Sequence, residues 1–438
     1  MSGNLLAAAQ EGITAMGGLD WKVCQEDRDI LLKLAERVRA IADSPRNQEI
    51  RRQWYLHDEG KAERPLILTE TDGGIDMVLP DFKLECREEW ARGQEHGFRD
   101  LLMHVETIGD DTTVEPFVNI GWRFNFSDFG VATHATSPEN TGARGAYHID
   151  AVITDLDRDL PKLKPRTFAV DRAGSLAARD FLADFYQGIL GVRLRGNPWW
   201  TLGMTWTAIT FIGLDSLMLY MYDQPEGLHR LMAFLRDDHL ALLQWLEQEG
   251  LLNLNNENDY IGSGSCGYTR ALPQSDWTPG ARVRARDIWS LIESQETVGV
   301  GPDQYAEFIF AYEKGIAEKL GRVYYGCCEP VHTRWQVLKH MPNLKRVSVS
   351  PWCDQKFMAQ ALGNSIGYSR KPNPSLISTK VFDEELIRRD LQETMALAKE
   401  HGCSLEIAMK DVHTLCGEPD RLTRWVRLAR EVSAGIWN

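Results

Sequence analysis

Tyr325-Gly-Cys-Cys-Glu-Pro-Val-His332 gathers two thiols, a carboxylate and an imidazole into one short run. Thiolate and imidazole suit zinc, and a carboxylate can complete its shell. Cys327, Cys328 and His332 are therefore candidate metal ligands, and Glu329 a candidate acid or base. Adjacent residues of a strand point to opposite faces, so one of the two thiols enters the site. A buried thiol beside a helix-capping glutamate explains the run as well. Glu293-Ser-Gln-Glu296 offers two carboxylates that could serve as base, ligand or substrate clamp, with Glu296 the residue singled out. Lys410-Asp-Val-His413 adds Asp411 as a third carboxylate.

Other side chains have the character of substrate contacts. Arg193 could reach an anionic or ether oxygen, or be held in a salt bridge. Trp199, Trp200 and Trp206 belong to a set of 14 tryptophans and could wall in a flat apolar substrate, or pack a core. Asn256 and His148 complete the candidate set. Gly262-Ser-Gly-Ser-Cys-Gly267 has the glycine pattern of a dinucleotide site, but no helix signal follows it. A flexible loop able to cover the site is the expectation. Asp411-Val-His413 approaches the Asp-x-His-x-x-Gly signature of cobalamin-binding domains. Gly417 falls one place late, and too little chain follows for such a domain.

These clusters end short apolar runs. The runs are Val118–Asn125, Gly191–Gly196, Leu252–Asn256, Trp289–Glu296, Val323–Cys328, Val347–Asp354, Ile366–Lys371 and Leu405–Asp411. Helix-like stretches separate nearly all of them. Strands alternating with helices in this number predict an α/β fold, a (β/α)8 TIM barrel, whose active site forms at the C-terminal strand ends. Residues 1–113 are expected to form N-terminal helices and a hairpin around Asp72-Gly-Gly, packed on a barrel spanning 114–438.

The chain has 438 residues, a net charge of −14 and 43% hydrophobic residues, so it can bury a large core. The acidic balance argues against nucleic acid, and no apolar run reaches membrane-spanning length. Eight scattered cysteines and the lack of a cationic, apolar N-terminal leader make a reducing cytoplasm the simplest setting.

Glu293-Ser294, Gly301-Pro302, Phe308 and Tyr312 resemble the uroporphyrinogen decarboxylase superfamily, with Ala311 where that family usually has proline. The runs Leu251–Asp259, Tyr325–Pro330 and Met409–Thr414 look like the branch containing methyltransferases of corrinoid-dependent O-demethylase systems. The resemblance covers roughly residues 114–432 and implies a (β/α)8 barrel. The Arg-Gln-Ala-Gly-Arg segment of true decarboxylases has no counterpart. The His-x-Cys and final Cys of the superfamily's zinc methyltransferases are replaced by Tyr325-Gly-Cys327 and Lys410-Asp411. What the resemblance implies is methyl transfer from a methoxylated donor, aromatic in the first instance, to the Co(I) corrinoid (cobalamin) of a partner protein. A variant zinc site using Cys327 or Cys328, Glu296, Glu329 or Asp411 is an alternative to that pattern, and a homodimer is compatible with this reading. The alternatives are a decarboxylase or lyase acting on a small acid, with Arg193 as its clamp, and a non-catalytic ligand-binding barrel.

Overall fold

The computed structural model describes residues 21–71, 73–136, 148–198 and 200–437. Its centre is a six-stranded parallel sheet. The strands are β1 (Leu66–Thr71), β2 (Trp289–Ile292), β3 (Arg322–Tyr325), β4 (Leu344–Val349), β5 (Gly367–Arg370) and β6 (Leu405–Val412). Their order across the sheet is β1-β6-β5-β4-β3-β2. The strands read as near-continuous apolar runs because both faces are covered, as parallel sheets require. On the outer face Ile67, Ile292, Tyr325, Val347, Tyr368 and Ile407 join one large core with helices such as Glu384–Glu400 and Arg421–Trp437. On the inner face Leu66, Leu68 and Ala408 pack with Trp54 and Tyr268, and Leu291 and Tyr324 pack with Ile261 and Trp289.

Asp72 of the expected hairpin lies outside the described residues, and its second arm around Met77–Leu79 is not a strand. Leu66–Thr71 instead pairs in parallel with the last strand, and Ile75–Val78 is a short helix. The other edge of β1 is closed by side chains. Asp111 accepts the Ile67 N–H at 2.8 Å and Asp110 that of Thr69 at 3.1 Å. Two carboxylates thus stand where a neighbouring strand would otherwise satisfy these donors.

The expected strand at Leu252–Asn256 is irregular. The Asn255 amide accepts the Trp289 N–H at 2.8 Å and donates to the Trp289 carbonyl at 3.0 Å. It reproduces both bonds of a strand partner at the edge of β2. Val118–Asn125 divides in two. Phe117–Gly121 pairs in parallel with Gly191–Arg195, and Arg123–Phe126 pairs antiparallel with Phe168–Asp171. Among the described residues the sheets are thus one of six strands and several of two, and backbone pairing does not complete a ring of eight.

The glycine-rich segment is not a loose cover. Tyr260–Gly262 and Ser265–Cys266 form a small antiparallel hairpin packed on the inner face of the central sheet. A Cβ on Gly262 would lie 2.6 Å from the Tyr324 ring, and one on Gly267 would lie 2.1 Å from the Asn255 carbonyl oxygen. Gly262 and Gly267 allow close approach, and Gly264, at φ +82°, supplies the left-handed turn.

Candidate active site

The C-terminal ends of five central strands send Glu70, Glu293, Cys327, Lys371 and Lys410 into one neighbourhood above the hairpin. Alternation puts Glu70, Glu293, Lys371 and Lys410 on the inner face with Leu68, Leu291, Ser369 and Ala408. Cys327 reaches it differently. Gly326 has φ +94°, which interrupts the alternation after Tyr325 and turns Cys327 inward. Its sulfur meets Ser263 Oγ at 3.8 Å, Lys410 Nζ at 4.0 Å and Cys328 Sγ at 3.5 Å. Ser263 is itself fully buried at φ +42° on the hairpin tip. Asp411 sits at φ +59° where the register between β1 and β6 shifts, and it pairs with Lys410 at 3.2 Å. A bulge of this kind re-aims side chains at a strand end.

The carboxylates divide by environment. Glu329 is fully buried and accepts the N–H of Ser294 at 3.1 Å and of Cys327 at 2.8 Å. It ties the end of β2 to the end of β3, and its oxygens are occupied by backbone. Glu293 is buried, with one oxygen accepting the Gln295 N–H at 3.0 Å and the other without a hydrogen-bond partner. Burial, then the charges of Glu296 and Glu329, push Glu293 well above the ordinary carboxylate range. Burial also raises Glu296, against the 2.7 Å hydrogen bond that it accepts from Thr205. The charge of Glu296 adds to burial in raising the affinity of Glu293 for its proton.

Lys410 keeps its charge. Burial opposes the ammonium, but the carboxylates of Asp411 and Glu70 favour it, and its affinity for a proton is raised. Cys327 remains a thiol, held so by its contact with Cys328 and by burial, despite the nearby ammonium. Lys371 hydrogen-bonds Ser369 Oγ at 2.5 Å, and burial lowers it to about 8.

Behind β2 and β3 lies a second polar network. Tyr325 OH is 3.0 Å from Ser294 Oγ, 2.8 Å from Tyr305 OH and 3.3 Å from Glu313. Arg334 donates to Ser294 Oγ at 3.1 Å and to the Thr297 carbonyl at 2.9 Å. Tyr305 and Glu313 are eight residues apart, out of phase by about 80° in a regular helix. The π turn at Ala306–Phe310 between them adds a residue and restores a common face.

Other predicted residues are placed elsewhere. Arg193 is held by Glu115 at 2.6 Å and Asn119 at 3.1 Å and lies over the Phe117 ring, so it is a structural salt bridge. Asn256 donates to the Leu272 carbonyl at 2.9 Å and braces a loop. His148 is exposed on the small ribbon paired with His134–Thr136, 3.9 Å from Asp150. Trp199 lies outside the described residues. Trp200 packs against the Ile261–Tyr324 cluster and Trp206 against the outer core, which matches the packing reading. His332 accepts the Asp354 N–H at 3.3 Å at the start of the Gln355–Leu362 helix. Among the described residues no group of three or more His, Cys, Asp or Glu side chains is placed to hold a metal ion. Cys327, Cys328 and His332 therefore do not fit a zinc shell.

Sequence reading missed Glu70, Tyr260 and Ser263. Glu70 was hidden because its strand read as half of a hairpin. The glycines of 262–267 were the available signal for close packing. At the opposite end of the sheet a polar cleft is lined by His57, Asp58, Arg322, Lys345 and Arg346. There Arg322 pairs with Asp58 at 2.7 Å and Arg346 with Glu406 at 3.4 Å.

No protein family and no curated protein matches this chain. Among solved structures, a methyltransferase from Methanosarcina mazei overlaps 67% of this chain and 75% of its own, at 11% identity and a TM-score of 0.38. So loose a likeness carries no argument about activity.

Proposed function

We propose that the chain is a methyltransferase that takes a methyl group from a methoxylated donor, aromatic in the first instance, and passes it to the Co(I) corrinoid of a separate protein. The observation that carries this reading is the buried Glu293 at the C-terminal edge of the sheet, which has one oxygen without a hydrogen-bond partner and a raised affinity for its proton, with the half-buried Glu296 three residues on. The resemblance of Glu293-Ser294, Gly301-Pro302 and Tyr325–Pro330 to the corrinoid-dependent branch supports it.

A reduced corrinoid would supply the nucleophile, which is the difficult part of the chemistry. What remains for the protein is the leaving group. When the methyl–oxygen bond breaks, the oxygen gains negative charge and needs a proton. Glu293 can donate it, a role typically worth about 100- to 10,000-fold in rate. The Lys410 ammonium adds positive potential on the same side. Glu329 positions both strand ends and does not itself donate. Asp411 orients Lys410.

The test is the absorbance of cob(I)alamin mixed with the purified protein and a panel of methoxyarenes. Its conversion to the methylated form with one donor class supports the reading. No conversion with any donor, even with corrinoid proteins supplied, overturns it in favour of a lyase or a binding protein.

A further inference from the structure

Cys327 and Cys328 form an adjacent dithiol with unequal exposure. Cys328 is exposed and Cys327 is buried in the candidate site. Their sulfurs are 3.5 Å apart, and closing to a disulfide at about 2.0 Å needs a shift of roughly 1.5 Å. Gly326, at φ +94°, precedes the pair and gives the backbone room to adjust. Cys353 and the other described cysteines have different nearest partners: Cys353 lies 3.6 Å from Ser350 Oγ, and Cys266 3.6 Å from Asn258.

We propose that Cys327–Cys328 is a reversible oxidation site, at which a peroxide closes the two thiols into a disulfide. The exposed Cys328, as its thiolate, attacks the peroxide. One peroxide oxygen becomes a sulfenic acid on Cys328, and the other leaves as water after taking up a proton. Cys327 then attacks that sulfenic sulfur. The S–S bond forms, the hydroxyl leaves, and with the Cys327 proton it becomes a second water. Two thiols are oxidised and one peroxide is reduced. Lys410 Nζ, 4.0 Å from Cys327, favours thiolate character in the resolving sulfur as it reacts.

Reversibility follows from covalent geometry. Consecutive Cα atoms are about 3.8 Å apart, whereas disulfides span roughly 4.4–6.8 Å. The bond is therefore strained and easily reduced, the property of labile rather than structural disulfides.

The experiment is peroxide treatment of the full-length protein, followed by intact mass measurement and peptide mapping. The expected result is loss of two hydrogens on the peptide carrying Cys327 and Cys328, restored by dithiothreitol. Cys328→Ser should abolish that loss while the protein stays folded by circular dichroism. Added oxygen on Cys328 with Cys327 left free, or a disulfide at another pair, would overturn the proposal. None of these outcomes depends on which reaction the site catalyses.

Discussion

At the scale of single residues, the same type of side chain does different work according to burial and partners. Glu329 accepts two backbone N–H groups, whereas Glu293 has an oxygen with no hydrogen-bond partner and a raised affinity for its proton. Glu329→Ala should therefore act on stability first. It strands two buried donors that had charge-assisted bonds, a loss of roughly 3 kcal/mol or more, measurable by urea unfolding. Glu293→Gln should leave the fold intact, lower turnover by about 100-fold or more and flatten the alkaline limb of the pH–rate profile. An unchanged limb would remove Glu293 from the acid role. Glu313 gives a stability prediction with a definite sign. Burial, with Glu329's charge, raises it from 4.5 to about 8, so the folded state holds a proton that the unfolded chain releases. Stability is full below about 4.5 and falls as pH rises toward about 8, by about 1.4 kcal/mol per pK unit. Glu313→Gln should abolish that fall, so its stability relative to the parent should increase across this window.

At the scale of elements, two devices replace regular pairing. The Asn255 amide stands in for a strand beside β2, and the hairpin at 260–266 fills the inner face with backbone. Asn255→Ala should free both Trp289 backbone groups, destabilise the protein by about 2 kcal/mol and speed amide exchange at Trp289. Gly262→Ala should be at least as harmful. Its Cβ would meet the Tyr324 ring, fully buried between Leu291 and the hairpin, so the hairpin that carries Ser263 must shift. Loss of the Ser263–Cys327 contact would appear as faster alkylation of Cys327.

At the scale of the whole molecule, the N-terminal region is not an appendage to the sheet. β1 hydrogen-bonds β6, and Asp111 bridges β1 to Arg430 on the final helix at 3.2 Å. Amides of Leu66–Thr69 should exchange as slowly as those of Glu406–Met409. Fast exchange in β1 alone would show that it docks on an already complete sheet. No helix among the described residues is long and apolar enough to cross a membrane.

The sequence alone identified the alternation of strands and helices and several of the clusters that converge, because apolar runs and their polar ends are local patterns. Glu293–Glu296, Cys327–Glu329 and Lys410–Asp411 were legible in this way. Partner choice was not. Whether Leu66–Thr71 folds back on its neighbour or joins a strand more than 300 residues away depends on which edge is open, and that is settled only in the assembled sheet. Face was not legible either. Gly326 and the bulge at Asp411 break the two-residue period, so the inward placement of Cys327 and the strained Asp411 follow from φ values that no spacing rule encodes. Arg193 and Asn256 looked available because a sequence shows a side chain's chemistry but not the neighbour that has already taken it.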